Sequence, residues 1–407
     1  MAIPLASLLD QLLEEVWFEL TFLLAVSLVA SFLFTRLGQS KVIGYIMVGV
    51  LIGPSGLRII VPEAGAISGL PESVLMLAEL GAIVLLFMIG LEADLKEIYT
   101  RKSISIALGG VLLPWVVGYF VAEMFGYGSE GVFIGATLVA TSVAITASII
   151  SELGLIGTPV AYAIVGAAVV DDVLGMVVLG ISKGLAVGNM DIAGVAMLLI
   201  GAVLFITLGA WIGSRFLARL VFNVQVSGYR RKLPNSGFVL ALAIAFLYAF
   251  VAELIQISAI VGAFVAGTAF AGSVLRDAFR KGTQYLEALF VPIFFVSLGI
   301  VVDLGELGDT IVFALVLTLA AVLTKIVGCA IPAKLFKMSN WDSFAVGVGM
   351  VPRLEIALVI AYYGLSTAII DVDVYSVVVV MGLLTALVAP TLFKISLRRG
   401  GHKLLHI

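Results

Sequence analysis

"GAAVVDDVLGMVVLG", residues 166–180, would pass for a transmembrane helix but for two residues at its centre, Asp171 and Asp172. An ionised carboxylate at the bilayer midplane costs at least about 2.5 kcal/mol on the mildest scale. Membrane chains keep such residues where they face a protein interior or a water-filled cavity and serve a function there. Whether this stretch is a membrane helix built round a polar site therefore decides both the fold class and the place to look for chemistry.

The surrounding sequence favours the membrane. The chain has 407 residues, of which 62% are hydrophobic and only 12% charged, against about 25% charged in soluble domains. A span needs roughly 17–25 apolar residues, fewer where a helix is short or broken. Thirteen segments qualify: 17–35, 42–54, 72–92, 103–123, 131–151, 158–182, 191–214, 236–254, 257–272, 284–302, 310–333, 342–364 and 374–397. The expected fold is all-α and polytopic, with thirteen transmembrane helices. "PLASLLDQLLEEVWFEL" (4–20) reads as an amphipathic lead-in rather than a cleavable signal. The single cysteine, Cys329, lies in an apolar run and reads as a small core residue, so there is no disulfide framework.

The basic residues give the orientation. With the C-terminus placed inside, nineteen of the 23 lysines and arginines fall in cytoplasmic loops. Only Arg58 and Lys183 fall outside, while Lys325 and Arg353 fall within spans. Lysine and arginine concentrate on the cytoplasmic side of membrane proteins, so an odd span count with the N-terminus outside is expected. Thirteen spans divide into two sets of six with one between them, which inverts the second set relative to the first. The expected organisation is a first inverted repeat over 1–182 and a linker span with a basic cytoplasmic loop over 183–235. A second repeat over 236–397 and a short tail, 398–407, complete it. The tail, "RRGGHKLLHI", holds both histidines, His402 and His406, and is too short to be a nucleotide-binding module.

Three further stretches carry chemistry. In "ATLVATSVAITASIISELG" (136–154), hydroxyl residues dot an apolar run. Either they satisfy helix carbonyls as ordinary packing, or the helix is interrupted near Thr141 and Ser142. Non-helical backbone at membrane depth is tolerated only where it is buried in protein or lines a cavity. In "AVGVGMVPRLEIALVIAYYG" (345–364), Pro352 removes an amide donor, and Arg353 and Glu355 follow. This is either a proline kink with a structural Arg–Glu pair, or a second broken helix whose charges neutralise exposed half-helix ends. The two stretches occupy corresponding positions in the proposed repeats. In "LTLAAVLTKIVGCAIPAKLF" (317–336), Lys325 is too deep to snorkel to the interface, and its candidate partners are Asp171 and Asp172. Adjacent helical residues point about 100° apart. One aspartate can therefore meet Lys325 while the other faces water and a cation. Carboxylates that bind either a proton or a small cation, coupled to a lysine, are what a proton-coupled cation carrier requires. Glu79 and Glu253 also fall within spans and read as structural or rim residues. No cluster of His and Cys ligands, phosphate-cradling glycine loop or basic nucleic-acid face is present, so neither an enzyme nor a nucleic-acid partner is expected.

Five motifs in order resemble the cation–proton antiporter-2 family, and in particular its NapA-like sodium/proton antiporters. They are "SKVIGYIMVGVLIGP" (40–54), "LAELGAIVLLFMIGLEADL" (77–95), "ATSVAITASIISELG" (140–154), "VVDDVLGMVVLG" (169–180) and "GMVPRLEIALVI" (349–360). The resemblance implies a dimerisation domain and a core domain with two crossed, broken helices, here within 131–151 and 342–364, beside 158–182 and 310–333. It implies that Asp172 is the main cation carboxylate, that Asp171 pairs with Lys325, and that Thr141 and Ser142 mark the first break. Potassium-efflux relatives carry a cytosolic nucleotide-binding domain, which is not found here. Electroneutral relatives replace the first aspartate with asparagine, and this chain does not. The expected function is an electrogenic Na⁺ or Li⁺/proton antiporter working by alternating access in the cell membrane as a homodimer among lipids. It needs no cofactor beyond the transported ions. The alternatives are K⁺/H⁺ antiport or a channel-like cation pathway.

Overall fold

The computed structural model describes residues 16–37, 39–60, 72–92, 100–187, 192–302, 305, 308, 310–367 and 369–401. Most of the lead-in, Lys96, His402, Lys403 and His406 lie outside the described residues, as do the side chains of Lys183 and Glu355. All regular structure among the described residues is helical.

The first half contains α1 (Val16–Arg36), α2 (Lys41–Ile52), α3 (Glu72–Glu92), α4 (Arg101–Met124), α5 (Gly131–Thr137), α6 (Val143–Glu152) and α7 (Pro159–Val187). Next come α8 (Ile192–Ile212) and α9 (Ala218–Arg230). The second half contains α10 (Ser236–Leu254), α11 (Ala259–Phe270), α12 (Arg276–Ile300), α13 (Ile311–Leu335), α14 (Asn340–Gly349), α15 (Glu355–Ser366) and α16 (Val372–Arg399). Several starts follow from the sequence. Ser40, Thr100, Ser142, Ser258, Ser339 and Asp371 each accept a backbone N–H of the first turn they precede, which satisfies one of the orphan donors at a helix start. Among the described residues nine helical stretches are long and apolar enough to cross a membrane, and α2, α6 and α11 are shorter apolar helices. Each expected segment has a helix, or a broken pair of helices, over it.

Two boundaries differ most from expectation: α12 starts at Arg276, well before 284, so Arg276, Arg280 and Lys281 are helical, and α8 runs on past its expected end. The basic loop expected after residue 214 is helical as far as Arg230. A single π-type turn over Gly213–Leu217 joins α8 to α9 in one rod. The reason is a second helical pattern in "RFLARLVFNVQVSGYR", which buries Val221, Gln225 and Gly228 on one face and exposes Arg215, Arg219 and Arg230. The chain reverses where Lys232 takes φ 61°. There Gln225 receives the N–H of Gly237 at 2.8 Å and donates to the Pro234 carbonyl.

Contacts divide the helices into two units. In one, α4, α5, α6, α7, α13, α14, α15 and α16 pack on one another; in the other, α1, α2, α3, α10, α11 and α12 do. We call them the core unit and the panel. They meet where α3 and α2 touch α6, where α2 touches α16, and through α8, which packs on both α7 and α11.

Inside the panel, glycines set the approach of the helices. A Cβ on Gly49 would lie 2.1 Å from the Val296 carbonyl oxygen, and one on Gly299 would lie 2.2 Å from that of Ile46. A Cβ on Gly90 would lie 2.4 Å from the Phe264 oxygen, and one on Gly267 would lie 2.3 Å from that of Phe87. In each case the blocked oxygen belongs to the residue three before the partner glycine. The α2–α12 and α3–α11 crossings are thus congruent. In the core unit Gly109 and Gly328 make the same kind of reciprocal contact between α4 and α13, at 2.1 and 2.3 Å. Small residues let membrane helices reach backbone contact.

Candidate cation site at the crossed helix breaks

The helix expected over 131–151 stops at Thr137 and resumes at Val143, and the one expected over 342–364 stops at Gly349 and resumes at Glu355. The open segments cross. The Ser142 N–H donates to the Pro352 carbonyl at 2.7 Å. Each break leaves carbonyls at the end of its leading half-helix, where the dipole is negative. Six of them are met by groups from the facing break and its helix or by a buried cation. Thr146 donates its hydroxyl to the Gly349 carbonyl at 2.7 Å, and Thr141 donates to Met350 at 3.1 Å. Arg353, wholly buried, serves both ends at once. Its Nε donates to Leu138 at 2.7 Å and its Nη1 to Val351 at 3.1 Å. The Ser142 hydroxyl accepts the Ile145 N–H and so caps α6. Arg353 thus donates to a carbonyl of each break.

Lys325 lies mid-way along α13 and is 0% exposed. Its Nζ donates to both oxygens of Asp171 at 2.9 and 3.0 Å, to the Gly110 carbonyl at 2.9 Å, and to the Val139 carbonyl at 2.6 Å. Val139 belongs to the first break, so the lysine also neutralises the end of α5. Asp171 is 0% exposed and Asp172 4%. A buried ion pair of this kind is costly to break: removing one partner typically costs about 3–5 kcal/mol, because the other charge is left uncompensated.

The structure brings Asp171, Asp172, Lys325, Thr141, Ser142, Pro352 and Arg353 into the crossing region. Asp171 meets Lys325, and Asp172 follows it on α7. Glu79 and Glu253 are exposed on the panel and take no part. Three participants were not singled out from sequence. Thr146 looks in the sequence like one hydroxyl among several. Thr385 on α16 accepts the Arg353 N–H at 3.2 Å, and nothing in the sequence marks it. Gly110 did leave a signal. Pro114, four residues later within α4, has no N–H to give, so the Gly110 carbonyl lacks its helical donor and is open to Lys325. Glycine is also required there, because a Cβ would lie 2.5 Å from Cys329 Sγ and 3.4 Å from Lys325 Nζ.

An all-helical membrane chain with two crossed helix breaks, compensated by buried cations beside an aspartate pair, defines a class of ion-handling membrane proteins. The chain belongs to the transmembrane sodium/hydrogen exchanger family, whose model matches residues 23–399. It is 35% identical over 387 residues to the Na⁺/H⁺-K⁺ antiporter GerN of Bacillus cereus, covering 93% of this chain and 96% of that one. It is 33% identical over 380 residues to a Na⁺/H⁺ antiporter of Enterococcus hirae, covering 92% and 96%. The fold matches that of the sodium proton antiporter MjNhaP1 of Methanocaldococcus jannaschii with a TM-score of 0.70 at 18% identity, over 95% of this chain and 98% of that one.

Proposed function

We propose that the protein is an electrogenic antiporter exchanging Na⁺ or Li⁺ for protons by alternating access, and that within its family it is a NapA-like member of the cation–proton antiporter-2 group. The observation that carries this reading is the Asp171–Lys325 pair held at the crossing, with Asp172 next to it on the same helix. Asp172 is the carboxylate that takes a proton or a cation in turn, while Asp171 is held by the lysine. Thr141 and Ser142 border the same position, and Arg353, with Pro352 and Glu355 beside it, holds the second break. The core unit, carrying both breaks, is the part that moves. The panel is the scaffold and the surface on which two copies meet. The congruent glycine crossings support two inverted repeats, 1–182 and 236–397, and the full count is thirteen spans with the N-terminus outside and the C-terminus cytoplasmic. The protein acts in the cell membrane.

Exchange of K⁺ is the second reading, favoured by the similarity to GerN, a Na⁺/H⁺-K⁺ antiporter. A channel needs several binding positions along a continuous pore, which a single site beside two breaks does not offer.

The test is a proteoliposome assay of proton movement on adding Na⁺, Li⁺ or K⁺ at several pH values. Addition of Na⁺ should move protons against their gradient, with a rate that saturates. Asp172→Asn, which keeps the shape and removes the charge, should abolish that movement while the protein still folds. Parental rates in a folded Asp172→Asn variant would overturn the assignment of the site.

A further inference from the structure

Four oxygens surround Lys325 Nζ, at 2.6 Å (Val139), 2.9 Å (Gly110) and 2.9 and 3.0 Å (Asp171). None of them comes from α13, the helix that carries the lysine. Each oxygen needs a positive donor for a reason of its own. The Val139 carbonyl is orphaned by the break after α5. The Gly110 carbonyl is orphaned by Pro114. Asp171 is a carboxylate with no exposure to water. The cage is thus built by α4, the break and α7, whichever cation fills it.

We propose that this cage is a binding site for a monovalent cation of primary-ammonium type, and that Lys325 is its built-in occupant. The distances lie in or close to the range of charge-assisted N⁺–H···O bonds, about 2.7–2.9 Å. The three N–H bonds of an ammonium match two carbonyls and one bidentate carboxylate. Mg²⁺ and Ca²⁺, held by oxygens at about 2.0–2.6 Å, would require the cage to contract.

Cutting the side chain back tests this. Lys325→Ala keeps Cβ, and n-propylammonium supplies the missing three carbons and the nitrogen. A ligand that binds the folded state raises its stability in proportion to the logarithm of occupancy. Thermal unfolding of purified Lys325→Ala should therefore shift upward with n-propylammonium chloride and saturate. Tetramethylammonium chloride at equal ionic strength, which has the charge but no N–H, should give little of that shift. Neither the parent, whose cage is filled by its own lysine, nor Lys325→Met, whose chain fills the same slot, should respond. Adding Asp171→Asn to Lys325→Ala should remove most of the response. Equal shifts with the two salts, a parental shift as large as that of Lys325→Ala, or a full response in the double variant would each overturn the proposal. If Lys325→Ala is recovered from cells only poorly, its yield from cultures grown with each salt is the measurement, and equal yields overturn it. The readout is unfolding rather than transport, so a failed cage leaves the antiport reading standing, and failed antiport leaves the cage standing.

Discussion

Lys325 shows how one side chain joins structure to transport. Its ammonium neutralises Asp171 and the end of α5 together, so it cannot be removed silently. On the proposed cycle, Na⁺ travels one way on the site. Two protons return, one on Asp172 and one on Lys325, which then pairs with ionised Asp171. One net charge crosses per cycle, coupling to the membrane potential by about 2.3 kcal/mol per 100 mV. Lys325→Gln should lose one proton per cycle, and exchange should approach one-for-one and become insensitive to an imposed potential. Proton flux measured against a potassium-diffusion potential checks this. A well-folded Lys325→Gln that still responds to voltage as the parent does would show that the second proton rides elsewhere. At this scale the sequence is unusually readable, because a charge in an apolar run has few partners to choose from. Asp171, Asp172, Lys325 and Arg353 declare themselves that way. Thr385 does not, because a lone hydroxyl in a long helix looks like every other.

At the scale of the element, the breaks were legible as pairs of weak signals in matching places: hydroxyls in one segment, glycines and a proline in the other. The continuation of α8 into α9 was not, because arginines at a span end look like a loop until the apolar face of the following turns is counted. The crossings make a prediction of their own. Gly90→Ala sets a methyl against the Phe264 carbonyl, and overpacking of this kind costs about 1–3 kcal/mol or more. Gly201→Ala on α8, where a Cβ meets nothing within 4 Å, should be neutral or stabilising by up to about 1 kcal/mol. Thermal unfolding of the two variants checks the contrast. Glu130, in the turn before α5, gives the pH counterpart. Burial, and then the charge of Asp371, push its carboxyl above the ordinary range. The folded state therefore holds this proton more tightly than the unfolded chain, so its ionisation opposes folding as pH rises through the raised value. Glu130→Gln should be more stable than the parent above that pH, and the difference should vanish as pH falls below it. Unfolding midpoints across mildly acidic to neutral pH measure this, and a difference that grows on acidification would contradict it.

The whole molecule is two packed units with few shared elements; hydropathy does not show that division, because both units have the same apolar spans, and only the family resemblance implies a core domain beside a second one. Arginine and lysine alone predict an orientation, with the N-terminus outside and the C-terminus cytoplasmic. A cysteine in place of Arg231 should react with a membrane-impermeant thiol reagent only from the cytoplasmic side, and one in place of Glu123 only from outside. Cys329, being wholly buried, should stay silent in both. The reverse pattern would overturn the topology. One feature of the fold bears on mechanics. The rod from Ala193 to Arg230 has 38 residues, roughly 57 Å at 1.5 Å per residue, while the hydrocarbon layer is only about 30 Å thick. It follows the core helix α7 in the chain and leads into the panel helix α10. A rod that long behaves as a lever: a tilt of a few degrees at one end becomes a displacement of several ångströms at the other. Its helical pattern loosens at the π-type turn over Gly213–Leu217, where Trp211 and Phe216 pack edge to face. On the alternating-access reading, a swing of the core unit against the panel would bend the rod at that one turn first, and the stiffness of five residues would set its reach.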